Sequence, residues 1–138
     1  MALEGFELKI VTPDGAEVSA EVKSVLVRTT AGDVGILKNH TNYVATIDYG
    51  LVKITYPDGT QRGACCMNGF VSVDKTQTRI IATTFEFADE IDLERAQRSK
   101  ESAEARLAET GLSEDERALA ESRLKRAKNR IRVYELNH

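Results

Sequence analysis

The stretch TFEFADEIDLERA, residues 84–96, is where the sequence changes its period. Up to Thr84 the chain consists of short runs rich in β-branched residues, cut by Pro, Gly and Asp. From Asp92 onward it holds no Pro and a single Gly, Gly111, while Ala, Leu, Glu, Arg and Lys dominate. The first composition suits strands and the second helices, so a boundary near Phe87 separates two architectures. The expectation is an α+β protein, with an N-terminal antiparallel β-sandwich over residues 1–87 and a C-terminal antiparallel two-helix hairpin over residues 88–138.

Upstream of the boundary, Phe6, Leu8 and Ile10 alternate with Glu7 and Lys9, the period of a half-buried strand. Thr12-Pro13-Asp14-Gly15 ends that run, because Pro fixes one turn residue and Gly supplies a positive φ at another. Val18, Ala20 and Val22 alternate again, and Val25 to Thr30 forms a compact β-branched run before Ala31-Gly32-Asp33-Val34-Gly35 punctuates. Tyr43 to Ile47 and Leu51 to Tyr56 flank Asp48-Tyr49-Gly50, and Pro57-Asp58-Gly59 follows. Gly63 to Met67, Phe70 to Val73 and Thr78 to Thr84 complete a series of short strands, as in a small antiparallel sandwich or barrel.

Downstream, Asp92 is placed to cap a first helix, on which Leu93, Ala96, Ala103 and Leu107 share a face. Gly111 suits a left-handed residue at a helix end, and Ser113-Glu114-Asp115-Glu116 has the form of a capping box. Ala120, Leu124, Ala127, Ile131 and Tyr134 then make a heptad-like seam, so two antiparallel helices joined by about four residues are expected. Alanine seams allow close approach but bury little area. At ~25 cal/mol per Å² the interface returns only a few kcal/mol against an ordering cost of ~1–2 kcal/mol per residue. The hairpin is therefore expected to be a marginal, movable element.

The whole chain has 138 residues, 41% of them hydrophobic, which is enough to bury a core. Its net charge of −3 provides no general basic field for nucleic acid or anionic lipid. No apolar run approaches the ~18–20 residues that span a bilayer, and Met1 to Glu7 lacks a basic region leading into an apolar one, so a soluble cytosolic chain is expected. Cys65 and Cys66 are neighbours whose side chains point to opposite faces of a strand, which would strain a mutual disulfide. Without CxxC spacing or a flanking His they read as small strand residues, and no metal site is expected.

The charge is unevenly spread. Residues 92–138 carry eleven basic against ten acidic side chains, a balance of +1, whereas the remainder carries eight against twelve, a balance of −4. Arg123, Lys125, Arg126, Lys128, Arg130 and Arg132 follow one another with no acid between them, and Arg123, Arg126 and Arg130 fall on one stripe. Such a cluster either complements the C-terminal helix dipole and keeps the helix soluble, or forms a recognition surface for an acidic or phosphate-bearing partner.

The ordered set of motifs resembles one family, the ε subunit of the F-type ATP synthase. The resemblance runs through FELKIVTPDG (6–15), GDVGILKNH (32–40), NGFVSV (68–73), Glu86 and IDLERA (91–96) to the helical pair. It implies a rotor subunit of the proton-translocating synthase, with no catalytic residues and no cofactor for catalysis, peripheral to the cytoplasmic face of the bacterial plasma membrane. By this resemblance the sandwich holds the γ subunit and rests against the c-ring, reaching the membrane only through that ring. The loop with Asp33 would meet the ring, and His40 would lie near the γ contact. Asn68, where the family commonly has a second Gly, and Lys38, often Pro, depart from the pattern. The hairpin would either fold compactly or extend into the catalytic head and inhibit ATP hydrolysis, with the basic cluster facing acidic segments of the β and α subunits.

The resemblance also implies ATP as a regulatory ligand of the compact hairpin. Glu86, Ile91, Asp92, Arg95, Ala96, Arg126 and Arg130 match the positions used, with carboxylates for the adenine amine or ribose and guanidinium groups for the phosphates. Ser102 stands where ATP-binding members carry a further Arg, and Arg98 or Arg106 are the candidates to replace it. The plainer reading of Asp92 is a helix cap. An alternative of another class, a free-standing small β-barrel ligand-binding or sensor protein, would use His40, Cys65 or Glu86, but the chain has no Gly-rich phosphate loop, HExxH or nucleophile elbow. A nucleic-acid binder is disfavoured by the acidic β half and by the lack of aromatics interleaved with the basic cluster.

Overall fold

Alternation at period two becomes seven strands in the first half of the chain: β1 (Phe6–Val11), β2 (Glu17–Val22), β3 (Ser24–Thr29), β4 (Gly32–Leu37), β5 (Tyr43–Thr55), β6 (Gln61–Val73) and β7 (Gln77–Phe87). The computed structural model describes residues 5–15, 17–38 and 41–136, and the chain divides into two units, Met1–Phe87 and Ala88–His138. The strands form one sheet in the order β2-β1-β7-β6-β5-β3-β4. β2 and β3 stand first and sixth in that order, yet only Lys23 separates them in the chain. One residue spans at most about 3.6 Å, so the sheet has to roll over on itself for the chain to step between its layers. The Lys23 N–H secures the step by donating to the Thr55 carbonyl of β5 at 2.7 Å. Leu8 and Ile10 of β1 and Val25 and Val27 of β3 accordingly share one buried cluster with Ile36, Val52, Ile54, Val71 and Ile80.

The expected sandwich is present, but its sheet is mixed where a purely antiparallel one was expected. β1 pairs with β7 in parallel, through Leu8 opposite Thr78 and Ile10 opposite Ile80. The cause is topological. The chain reverses at the β1–β2, β3–β4, β5–β6 and β6–β7 hairpins, an even number, so the last strand arrives running the same way as the first.

Two further differences concern strand length. Asp48-Tyr49-Gly50 is not a turn but the middle of a 13-residue β5, and Asn68-Gly69 is the middle of a 13-residue β6. The breaker residues there serve close approach. A Cβ on Gly69 would lie 2.6 Å from the Ala82 Cα, and one on Gly50 would lie 3.1 Å from the Arg28 carbonyl oxygen. Asn68 adopts φ 52°, a left-handed conformation that Asn tolerates better than most residues, and its carbonyl accepts from Thr83 Oγ1 at 3.0 Å. Asp33 likewise lies on β4 and not in a loop, the reversal being made before it, where Gly32 has φ 119°.

The other turns behave as their residues require. Gly15 N–H donates to the Thr12 carbonyl at 3.1 Å, and Gly59 N–H to the Tyr56 carbonyl at 2.9 Å. Asp58 accepts from Thr60 and Asp74 from Thr76 and Gln77, and these hydrogen bonds hold both carboxyls below their ordinary range.

In the second unit a 3-10 turn, Ala88–Glu90, precedes α1 (Leu93–Leu107) and α2 (Glu114–Leu136). Asp92 is the N-cap of α1, its carboxylate accepting from Arg95 N–H at 3.1 Å. The capping box at α2 closes reciprocally: Glu116 N–H donates to Ser113 Oγ at 3.1 Å, and Ser113 N–H to the Glu116 carboxylate at 3.3 Å. The link between the helices runs over residues 108–113, two residues longer than expected, because α1 ends at Leu107 with Ala108 as its C-cap and Gly111, with φ 81°, turns the chain within the link. Ala96, Ala103, Ala120 and Ala127 are buried, as the alanine seam requires, and Asn129 and Val133 are buried off that seam.

Candidate functional site

Helical spacing lines up two polar stripes in the second unit. On α1, Arg95, Arg98, Ser102 and Arg106 recur every three or four residues, and on α2, Glu116, Leu119, Arg123, Arg126 and Arg130 do the same. The stripes border a cleft of about 580 Å³, which Ser99 also lines and which has the buried Ala103 and Ala120 among its walls. That volume falls within the ~300–1,000 Å³ of small-molecule sites. Six arginines and a single acidic residue, Glu116, line the cleft.

The cations differ in how they are held. Arg106 donates to Glu109 at 2.6 Å and also pairs with Glu116, joining the two helices at the closed end of the hairpin. The Ser113 hydrogen bonds, and then the Arg106 charge, keep the Glu116 carboxyl below its ordinary range. Arg126 donates to Ser122 Oγ at 2.6 Å, which fixes it along its own helix. Arg98 meets Glu94 only at 3.9 Å and its side chain is 69% exposed, so its guanidinium is lightly restrained. An array of this kind binds anions, because planar guanidinium forks match phosphate or carboxylate oxygens in charge and geometry.

Of the residues assigned to ATP, the structure brings Arg95, Arg126 and Arg130 to the cleft together with Arg98 and Arg106, the candidates to stand in for Ser102. Ile91 and Ala96 are buried, and Asp92 caps α1. Glu86 belongs to the first unit, on β7 opposite Cys65, and is half-buried. The basic cluster divides by face: Arg123, Arg126 and Arg130 line the cleft, whereas Lys125, Lys128 and Arg132 are exposed and outside its lining. Arg95, Arg98 and Arg106 are each legible in the sequence as ligand candidates, and their spacing with Ser102, at 95, 98, 102 and 106, is the signal that sets them on one stripe.

In the first unit Asp33 is exposed and its carboxylate accepts from Arg28 Nε at 3.0 Å, across the β3–β4 hairpin. His40 lies outside the described residues. The register also sets Thr46, Phe70, Ile81 and Val11 in one row across β5, β6, β7 and β1, with Phe70 41% exposed and nearby Val44 69% exposed. A row of this length on an outer face is a candidate contact surface, and it escapes sequence reading because its members come from four separate runs. Cys65 and Cys66 are buried and unbridged, and burial, then the neighbouring Cys65, pushes the Cys66 thiol up to about 12. Among the described residues no group of three or more His, Cys, Asp or Glu gathers to hold a metal, and no helix is long and apolar enough to cross a membrane.

Comparison with known proteins covers both units. The family model for the ATP synthase Delta/Epsilon chain beta-sandwich domain matches residues 5–88, and that for the Delta/Epsilon chain long alpha-helix domain matches residues 89–135. The ATP synthase epsilon chain of an Exiguobacterium species is 36% identical over 129 residues, covering 94% of this chain and 95% of that one. The ATP synthase epsilon chain of Alkaliphilus oremlandii is 46% identical over 102 residues, covering 74% and 75% respectively. Among solved structures, a chain of the Euglena gracilis mitochondrial ATP synthase superposes with a TM-score of 0.77 at 22% identity, covering 91% of this chain and 79% of that one, a likeness of fold.

Proposed function

The chain belongs to the ATP synthase delta/epsilon chain family, as a non-catalytic epsilon-type subunit, and from that premise we propose that it works as the regulatory arm of the rotor. In this reading the sandwich is the fixed part. It joins the γ subunit to the c-ring at the cytoplasmic face of the bacterial plasma membrane, so that proton flow and rotation stay coupled. Asp33, His40 and the outer row through Phe70 and Ile81 are the candidate contacts.

The hairpin is the moving part. Extended into the head, its cations, Arg123, Lys125, Arg126, Lys128, Arg130 and Arg132, meet acidic segments of the catalytic β and α subunits and inhibit ATP hydrolysis. Folded, it holds ATP. The observation that carries this reading is the guanidinium-lined cleft between two helices whose seam is alanine. Such a seam returns little free energy on closing, so an anion bridging both stripes weighs heavily in the choice of conformation. Truncation after Asp89 tests it: the shortened subunit is expected to assemble with γ and to relieve inhibition in the reconstituted catalytic head. An unchanged hydrolysis rate would end the inhibitory reading.

A further inference from the structure

The last residues of β7 are held from one side only. β1 pairs with β7 from Gln77 to Ile81, and of the described strands β6 alone pairs with residues 82–87. A stretch bonded along one edge opens more readily than one bonded along both. Yet this is where the hairpin is joined, because the two units divide between Phe87 and Ala88. Three contacts secure the sheet side of that joint. Phe87 stands opposite Ala64 in register, its ring meets that of Phe85 edge-on with centroids 5.3 Å apart, and the Arg62 guanidinium lies 3.6 Å over its ring centroid. Arg62 precedes Ala64 by two residues on β6 and so shares its face. Phe87 is only 8% exposed, and a cation over an aromatic face is held more tightly when water is excluded. On the hairpin side the 3-10 turn packs on α2, and Ile91 N–H donates to the Ala88 carbonyl at 3.3 Å, so the turn belongs with the helices.

We infer that Arg62 is a positioning residue, which clamps the end of β7 through the Phe87 ring and so confines movement of the hairpin to the junction of Phe87 with Ala88. The inference rests on the movable hairpin proposed above and names what fixes its pivot. With the clamp closed, the chain turns at one link. With the clamp open, residues 82–87 peel from β6 and the tether gains up to about 20 Å. A longer, looser tether lowers the effective concentration of the arm at its target.

Residue-resolved hydrogen exchange on the full chain tests this, with Ser113→Ala used to loosen the hairpin. In that variant Ile91 is expected to exchange faster together with α1 and α2, while the protected amides of residues 84–87 keep their rates. Arg62→Met retains an apolar stem and removes the cation. It is expected to speed exchange at 84–87 about fivefold and to leave 78–81 unchanged, and Arg62→Lys is expected to recover part of the loss. Phe87→Leu should cost less protection when added to Arg62→Met than when made alone, which assigns the effect to this pair. In the reconstituted head, Arg62→Met is expected to assemble with γ as before and to inhibit about threefold more slowly. Unchanged exchange at 84–87 in Arg62→Met would overturn the inference, as would amides there that already follow the hairpin in Ser113→Ala. Unchanged onset of inhibition, in a head that truncation after Asp89 does relieve, would overturn it too. If truncation relieves nothing while the exchange pattern holds, the inhibitory reading falls and the clamp stands.

Discussion

The two units bury their apolar surface in opposite ways. In the sandwich the fully buried side chains include Leu8, Ile36, Ile47, Ile54, Met67 and Ile80, drawn from five strands. Along the hairpin seam the buried residues are alanines, Ala96 and Ala103 on α1 and Ala120 and Ala127 on α2. Large branched side chains fill a core that tolerates little change, whereas alanines bring two backbones close without committing much free energy to that arrangement. The first is how a protein builds a platform, the second how it builds a part that can be released. Polar features then decide the behaviour of the hairpin: a cap at Asp92, a capping box at Ser113 and an ion-pair tie from Arg106 to Glu116.

That contrast is open to test at descending scales. Ile80→Ala removes a fully buried branched side chain from the sandwich and is expected to cost about 2–5 kcal/mol, read from urea unfolding of the whole chain. A cost near zero would show that the sandwich is as loosely committed as the hairpin. Ser113→Ala opens the capping box and is expected to cost about 1 kcal/mol, read as a loss of helical circular dichroism and faster amide exchange at the start of α2. An effect as large as that of Ile80→Ala would mean the hairpin is not marginal.

The smallest expected change is with pH. The Glu116 carboxyl titrates below the ordinary glutamate range when folded, so its contribution is complete above that range and fades as pH falls through the lowered folded pKa. Acidification from neutral through that window should therefore loosen the link end of the hairpin. Glu116→Gln should remove that response, and a full acid response in the variant would assign it to another group.

The features legible in the sequence were those with a local signature. Pro13, Gly15 and Gly59 mark turns that form, and Ser113 with Glu116 marks a cap that closes in both directions. Non-local features left no such mark. Gly50 and Gly69 look like breakers, because the same missing Cβ that permits a turn also permits two strands to approach closely. The parallel pairing of β1 with β7 depends on the order of all the strands between them. At the site, the α2 arginine stripe was readable from its spacing. The joining of Glu116 to Arg106 was hidden by the more obvious service of that glutamate to Ser113.

The pairing of first strand with last has a consequence for the order of assembly. Glu7 lies opposite Gln77, 70 residues further along, so β1 gains its inner neighbour only after almost the entire first unit has been synthesised. Until then β1 has β2 alone, and a two-stranded hairpin is at best marginal in water. The helices, whose contacts are local, follow β7 in the chain and form fastest once made. The nascent chain thus passes through a period in which β1 still lacks its inner neighbour, and the sheet closes around it only when β7 arrives.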